Sequence, residues 1–415
     1  MSELSVGWNH YQTLKRLTAI MLRLRESGCE WDFEAAAELD VKYSAMLEES
    51  LKQLQKGAAA FGLAEFNPGS GKQLRDLFFG KMRMTPIKWS EKTGEPTIDE
   101  DVLTEWLKSD NPAAVEFSRK ILAYRSAQKA LGTYIRGMAP EGQQTRIYGE
   151  WRAHTTPTGR FSCTGRPLQT LGSEMRRLIR CSRGKQMVEA DLSTAEVRTI
   201  ALFANEKRML QIFADGEDIY TILVRDMFGD PKIVKKDKRR ALGKFTILAS
   251  NYGTAAETAW TVLMRNEEIQ KNYPNLTVRD VQAVQNKYFQ LCPRIKEWWK
   301  EEAEESSARG YYLEPISDRR LYFYGPVDRS LMANFPNQAA VAWWMNRALL
   351  AIDPELQEGD TILTCVHDAI TIESFEVERV QKLLHKHMEG VLRYKDREVA
   401  MPVESKIGAT LDAVK

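Results

Sequence analysis

Three short segments combine residue types that could carry chemistry. In VEADLSTAEVR, residues 188–198, an apolar run ends at Asp191 and a helical pattern begins within two or three residues. A carboxylate at a strand end presents its oxygens from a fixed edge, which suits a hard divalent cation. Ser193 and Glu196 also form S-x-x-E, so a capping box opening the next helix explains the segment as readily. In TILTCVHDAITIE, residues 361–373, two β-rich runs flank His367-Asp368 and read as a hairpin with the acid at its tip. A capped turn is the plainer explanation. Two carboxylates on separate strand ends could, however, share two metal ions about 3.5–4 Å apart, activating an attacking oxygen and stabilising a leaving one in phosphoryl transfer. Mg²⁺ suits this, because it accepts few carboxylates and keeps positions for water and phosphate oxygens.

The third segment is RRALGKFTILASNYG, residues 239–253, in which Arg240, Lys244, Leu248 and Tyr252 recur every four residues. Each step drifts about 40° around a helix, so the four share one broad face about 18 Å long. A guanidinium, an ammonium, an aliphatic chain and a phenol ring then follow in order. That order could hold a triphosphate at one end and a sugar or base at the other. A basic amphipathic helix with Tyr252 in a core is the competing reading.

The elements that must position these groups are legible in outline. Helical periodicity runs from about residue 8 to 58, breaks at FNPGSGK (66–72), and resumes to about Ile135. Residues 136–190 are richer in Gly, Thr and Arg with short strand-like pieces; 201–310 return to helix, and 311–415 mix helix with alternating strands. KTGEPTIDE (92–100) reads as the loosest stretch. The 415 residues allow two to four lobes, and 43% hydrophobic with 28% charged residues describes a globular chain. The densest apolar stretch, Ala339 to Met345, is too short to span a bilayer, and MSELSVGWNH shows no signal-peptide pattern. Five unpaired-looking cysteines fit a reducing cytoplasm. The net charge is only +2, yet it is segregated. Arg136–Lys185 carries +7 and Lys232–Lys244 carries +6, leaving −11 on the remaining 352 residues. A basic groove on an acidic body suits a polyanion, although solvated helix faces would give the same count.

Taken in order, TGRFS (158–162), Leu168-Gln169, DLSTAEVR (191–198), EDIYT (217–221), RALGKFTILASNYG (240–253), NFPNQ (334–338) and VHD (366–368) resemble a family A DNA polymerase. This is the group of bacterial DNA polymerase I and the podophage replicative polymerases. FNPGSGKQLRDLFF, KTGEPTIDEDVL and ILAYRSAQKALGTY resemble the same family's thumb, so the likeness covers nearly the whole chain. It implies an α+β right-hand polymerase fold: an N-terminal palm-associated segment (1–29), a helical thumb (30–135), helical fingers (201–324), and a palm with an antiparallel sheet from 136–200 and 325–415.

The resemblance also implies roles. Asp191 and Asp368 would be catalytic and hold two Mg²⁺ ions (Mn²⁺ being a substitute), with the Leu192 backbone carbonyl assisting. Arg240 and Lys244 would grip the nucleotide phosphates, Lys244 also supplying a proton to pyrophosphate. Glu196 would bar a ribose 2′-hydroxyl, with Tyr252 beneath the sugar. Arg160 and Gln338 would read the minor groove near the primer end, with Gln169, Asn334 and His367 as further primer-template contacts. The partners would be primer-template DNA and deoxynucleoside triphosphates, with a separate exonuclease or processivity protein as an optional addition. No membrane is involved, and the enzyme would act as a monomer in the cytoplasm of a bacterium or phage-infected cell. Helices that begin near residue 8 imply no room for a 3′–5′ exonuclease domain.

Four positions depart from the family pattern. Leu248 stands where an aromatic residue is usual, Ala369 where Glu follows the HD pair, and Thr194 and Tyr220 replace Gln and His. The first puts sugar discrimination in question, and the second leaves the metal pair one carboxylate short. Two other readings stay open: a single-subunit RNA polymerase, against which Glu196 argues, and a catalytically weak DNA-binding homologue.

Overall fold

A computed structural model describes residues 3–153, 155–323, 325, 327 and 329–415, with backbone alone for 3–10, 267, 329 and 330. Met1 and Ser2 of the segment read for a signal peptide, and Tyr324 at the expected fingers–palm boundary, lie outside the described residues. The chain divides into two compact units. Met1–Trp31, Gly142–Leu263 and Glu268–Lys415 form one; Asp32–Glu141 and Met264–Glu267 form the other.

The larger unit is organised on a four-stranded sheet in the order Val403–Gly408, Gln186–Leu192, Ala369–Ser374, Thr361–Val366. Every neighbouring pair is antiparallel. Side chains alternate between faces, and the two faces differ. Val188, Ala190, Ile370 and Ile372 are buried on the face toward helix Val377–Met388, whose Gln381 and His385 bond Ser405. The other face carries Glu189 and Asp191. Glu189 is buried there, accepting hydrogen bonds from Arg176 at 2.6 Å and Thr371 at 2.9 Å. Thr364 in turn donates to the Thr371 hydroxyl at 2.9 Å. Burying a carboxylate is costly without such partners.

The periodicity from 8 to 58 is interrupted in the structure. Helix Glu3–Ser27 stops at Gly28, strand Cys29–Trp31 follows, and Asp32 caps a second helix, Phe33–Ala59, by accepting from the Ala35 amide. Gly28 has φ +60°, and a Cβ there would meet the Ile147 carbonyl at 2.6 Å. Glycine is therefore required where the chain leaves the helix to pair with Arg146–Ile147 and Ile179–Arg180.

In the smaller unit, helices Phe33–Ala59 and Pro112–Lys129 approach closely at Gly57, where a Cβ would lie 2.8 Å from the Phe117 ring. Phe66, Phe78, Trp106 and Ile121 fill its core. The segment expected to be loosest is held by backbone bonds: Thr97 donates to Lys88 and Ser90 to Glu95, both at 2.9 Å. The five cysteines are free thiols. Among the described residues no helix is long and apolar enough to cross a membrane.

Candidate active site

Strand register joins the two aspartates, 177 positions apart in the chain. Antiparallel pairing sets Ala369 opposite Asp191, and Asp368 immediately precedes Ala369 at the hairpin tip. The tip is the two-residue turn His367-Asp368, with His367 at φ +55°. The Leu192 amide donates to the Asp368 carbonyl at 3.0 Å, tying the tip to the end of the Asp191 strand. Asp191 and His367 are exposed and Asp368 is half-buried.

Both carboxyls are held above the ordinary carboxylate range. At Asp191 surrounding protein contributes most, followed by the negative charges of Asp368, Glu189 and Glu404. At Asp368 partial burial dominates, with Glu196 and Glu189 adding to it and the Arg160 charge opposing. Among the described residues neither aspartate forms an ion pair. Two hard oxygen donors short of positive charge fit a divalent cation. No group of three or more His, Cys, Asp or Glu is placed to hold a metal ion among the described residues. Water and substrate phosphate would therefore complete the shell, which is how Mg²⁺ is commonly held.

The capping box expected from Ser193 and Glu196 does not form. Helix Ala195–Ala204 starts after Thr194, which takes a left-handed conformation (φ 56°) and makes no side-chain cap. A β-branched residue rarely adopts this backbone, and such strain is typical of functional sites. The Ser193 carbonyl accepts from Arg198 at 2.9 Å, while its hydroxyl donates to Glu404 at 3.3 Å. Glu196 is thereby left to form an ion pair with Arg160. The Arg160 loop turns at Gly159 (φ +80°), against the Arg319 guanidinium, and Asn346 donates to the Gly159 carbonyl at 3.3 Å. His367 is held below its ordinary value, first by the surrounding protein and then by the Arg160 charge.

The basic helix runs from Lys238 to Asn251, with Tyr252 capping it. Arg240, Lys244, Leu248 and Tyr252 are all half-buried, whereas Leu242, Gly243, Thr246, Ile247, Ser250 and Asn251 are buried. The expected face is the open one. Gly243 sets the helix against Ile219–Phe228: a Cβ there would lie 2.2 Å from Val224 Cγ2. This close approach brings Arg240 to Asp218 at 2.6 Å. It also puts Arg240 and Lys244 5.7 and 5.5 Å from the centre of the Tyr220 ring. Tyr220 is buried and its hydroxyl is pushed up by that burial first, then by Asp218 and Glu196, with Asp368 also contributing. Its ring therefore lies within electrostatic reach of both the basic helix and the aspartate edge.

The remaining expected residues occupy varied places. Asn334 and Gln338 are half-buried one turn apart on helix Arg329–Ile352, and Asn334 donates to the Tyr252 carbonyl at 3.5 Å. Gln169 uses its amide nitrogen on the Phe161 and Cys365 carbonyls at 3.1 and 3.4 Å, a bracing role between two segments of the site. Sequence reasoning missed Glu404, which pairs directly opposite Asp191 on the outer strand, and the buried partners of Glu189. The alternation in MPVESKIG marked a strand, but only register reveals which residue it faces.

An antiparallel sheet that offers two carboxylates at one edge, together with a helical region that carries a basic helix, is the layout of the palm and fingers of a right-hand polymerase. The chain belongs to DNA polymerase family A, whose family model matches residues 38–413. It is 27% identical over 423 residues to the thermostable DNA polymerase I of Thermus aquaticus, covering 97% of this chain and 48% of that protein. DNA polymerase I of Pseudomonas aeruginosa is 26% identical over 419 residues, covering 95% and 43%. The chain thus spans about half the length of the curated relatives it matches. In fold it is similar to the POL domain of Pol1 from M. smegmatis, solved in complex with DNA primer-template and dNTP. The TM-score is 0.78 at 19% identity, over 96% of this chain and 70% of that one.

Proposed function

We propose that this chain is a DNA-directed DNA polymerase that adds deoxynucleotides to a primer 3′ end and releases pyrophosphate. The observation that carries the reading is the register-built pair Asp191–Asp368, linked through Tyr220 to Arg240 and Lys244 of the basic helix. Membership of family A, and the primer-template and dNTP in the M. smegmatis complex, support the same substrates.

Asp191 and Asp368, with the Leu192 carbonyl, would hold two divalent cations. When bound, these supply charge neutralisation at the triphosphate and a lowered pKa at the primer hydroxyl. Arg240 and Lys244 bind the phosphates, and Lys244 delivers a proton to the departing pyrophosphate. Glu196, steadied by Arg160, occupies the space a ribose 2′-hydroxyl would need, and Tyr252 lies beneath the sugar. Asn334 and Gln338 face the primer end. We assign the smaller unit as the thumb, the basic-helix region as the fingers and the sheet as the palm.

The test is extension of a primed DNA template with Mg²⁺, using a matched and a 3′-mismatched primer. Asp191→Ala and Asp368→Ala should each abolish extension by orders of magnitude; retained activity in either variant sinks the assignment. Excision of the mismatched 3′ end before extension would show an editing activity beside polymerisation. Extension with ribonucleotides at the same rate as with deoxynucleotides would transfer the reading to an RNA polymerase.

A further inference from the structure

The basic helix carries an ion pair that the reaction as proposed leaves unused. Asp218 caps helix Ile219–Phe228, its Oδ1 accepting from the Thr221 amide at 2.7 Å. The same carboxylate holds Arg240 in two-point fashion: Nε donates to Oδ1 at 3.1 Å and Nη2 to Oδ2 at 2.6 Å. Arg240 Nε also donates to Thr221 Oγ1 at 2.9 Å. Below this contact lies the Tyr220 ring, shared by Arg240 and Lys244. Burial works to raise the Asp218 carboxyl, but hydrogen bonds from Arg240 and Thr221 hold it below the ordinary range. It is therefore an anion at neutral pH.

The stereochemistry of a guanidinium gives this pairing a direction. The group is planar, with five N–H donors along fixed edges. Asp218 and Thr221 occupy the edge formed by Nε and Nη2. The outer hydrogens of Nη1 and Nη2 form a second edge, the one that meets a phosphate end-on with two parallel bonds. Phosphate can thus bind Arg240 without displacing Asp218. A long side chain that would otherwise sample many rotamers is instead held in one orientation before the ligand arrives, which lowers the entropy lost on binding.

We propose that Asp218 is a positioning residue for the incoming nucleotide, holding one edge of Arg240 so that the other meets the terminal phosphates of the triphosphate. This rests on the reading of Arg240 as a phosphate grip. Thr221 assists from the same helix turn, and the close contact at Gly243 sets the spacing between the two helices.

Asp218→Asn is the discriminating variant, because Asn caps a helix about as well as Asp while losing the charge-assisted two-point bond. Steady-state extension on a primed template should show a dNTP KM raised on the order of ten-fold, with little change in kcat. Inhibition by inorganic tripolyphosphate should weaken in parallel, and the Kd for primer-template should stay constant. In an Arg240→Ala background the same change should have no further effect on KM, since the group it positions is gone. Thr221→Val, a second route to the same loss, should raise KM by a smaller factor. A lower KM in Asp218→Asn would mean that Asp218 competes with phosphate, and would overturn the proposal. So would a KM increase that persists undiminished without Arg240. An unchanged KM in Arg240→Ala alone would instead overturn the phosphate-grip reading, and the proposal with it.

Discussion

The aspartate edge and the basic helix handle charge in opposite ways. At the edge, Asp191 and Asp368 are brought together without a cation partner, Glu404 stands opposite Asp191, and both carboxyls bind protons more tightly than usual. On the helix the two arginines are paired: Arg240 with Asp218, and Arg239 with Asp230 and Asp237. One region concentrates repulsion that a divalent cation would relieve; the other holds Arg240 in one orientation. They also differ in support. The edge stands on a backbone ladder and a buried Arg176–Glu189 pair, whereas the helix is seated through its buried side chains and a close contact at Gly243. Repulsion can be stored only where hydrogen-bonded backbone holds the groups in place, while a phosphate grip gains more from orientation than from excess charge.

That contrast can be broken at either end. The largest effect should follow Glu189→Ala, which leaves Arg176 buried without its partner. Losing one member of a buried pair costs about 3–5 kcal/mol, measurable by denaturant unfolding; a loss below about 1 kcal/mol would show that the pair does not brace the strand. Gly243→Ala should come next. Its added methyl group meets Val224, so overpacking should cost about 1–3 kcal/mol and raise the dNTP KM more than the Kd for DNA. Equal changes in both would deny that this contact serves the nucleotide side.

A smaller effect of opposite sign is expected for Asp191→Asn in EDTA. The folded carboxyl binds its proton more tightly than the unfolded one, so ionisation penalises the native state. The penalty is absent below the ordinary carboxylate range, near about pH 4, and grows as pH rises above it. The variant should therefore melt above the wild type at neutral pH, with the gap closing toward acid. A gap that does not depend on pH would remove repulsion as its cause. The smallest effect on fold or rate is expected of Leu248→Tyr, which restores a planar ring on the open face. It should increase dideoxynucleotide incorporation relative to deoxynucleotide, and an unchanged ratio would show that position 248 does not read the sugar.

Much of the helix side was legible in local pattern. A four-residue spacing puts Arg240, Lys244, Leu248 and Tyr252 on one face in any helix, and the buried neighbours confirm which face is open. The His367-Asp368 hairpin was equally local, since two β-rich runs separated by two residues leave few other turns. Where the reading slipped, a local rule lost to a distant partner. Ser193 and Glu196 have capping-box spacing, but Arg160 takes Glu196 and Glu404 takes Ser193. The helical run to residue 58 concealed a strand at Cys29–Trp31, because only its pairing with Arg146–Ile147 and Ile179–Arg180 makes three residues a strand.

Residue types, helix faces and turn positions belong to the sequence by itself, for they follow from backbone periodicity over a few residues. Which strand lies beside Asp191, and hence that Asp368 and Glu404 share its edge, was decided only by the tertiary structure. So was the commitment of one edge of Arg240 to Asp218. Register and ion pairing depend on groups far apart in the chain, and their geometry exists only once the sheet and the helix layer have packed.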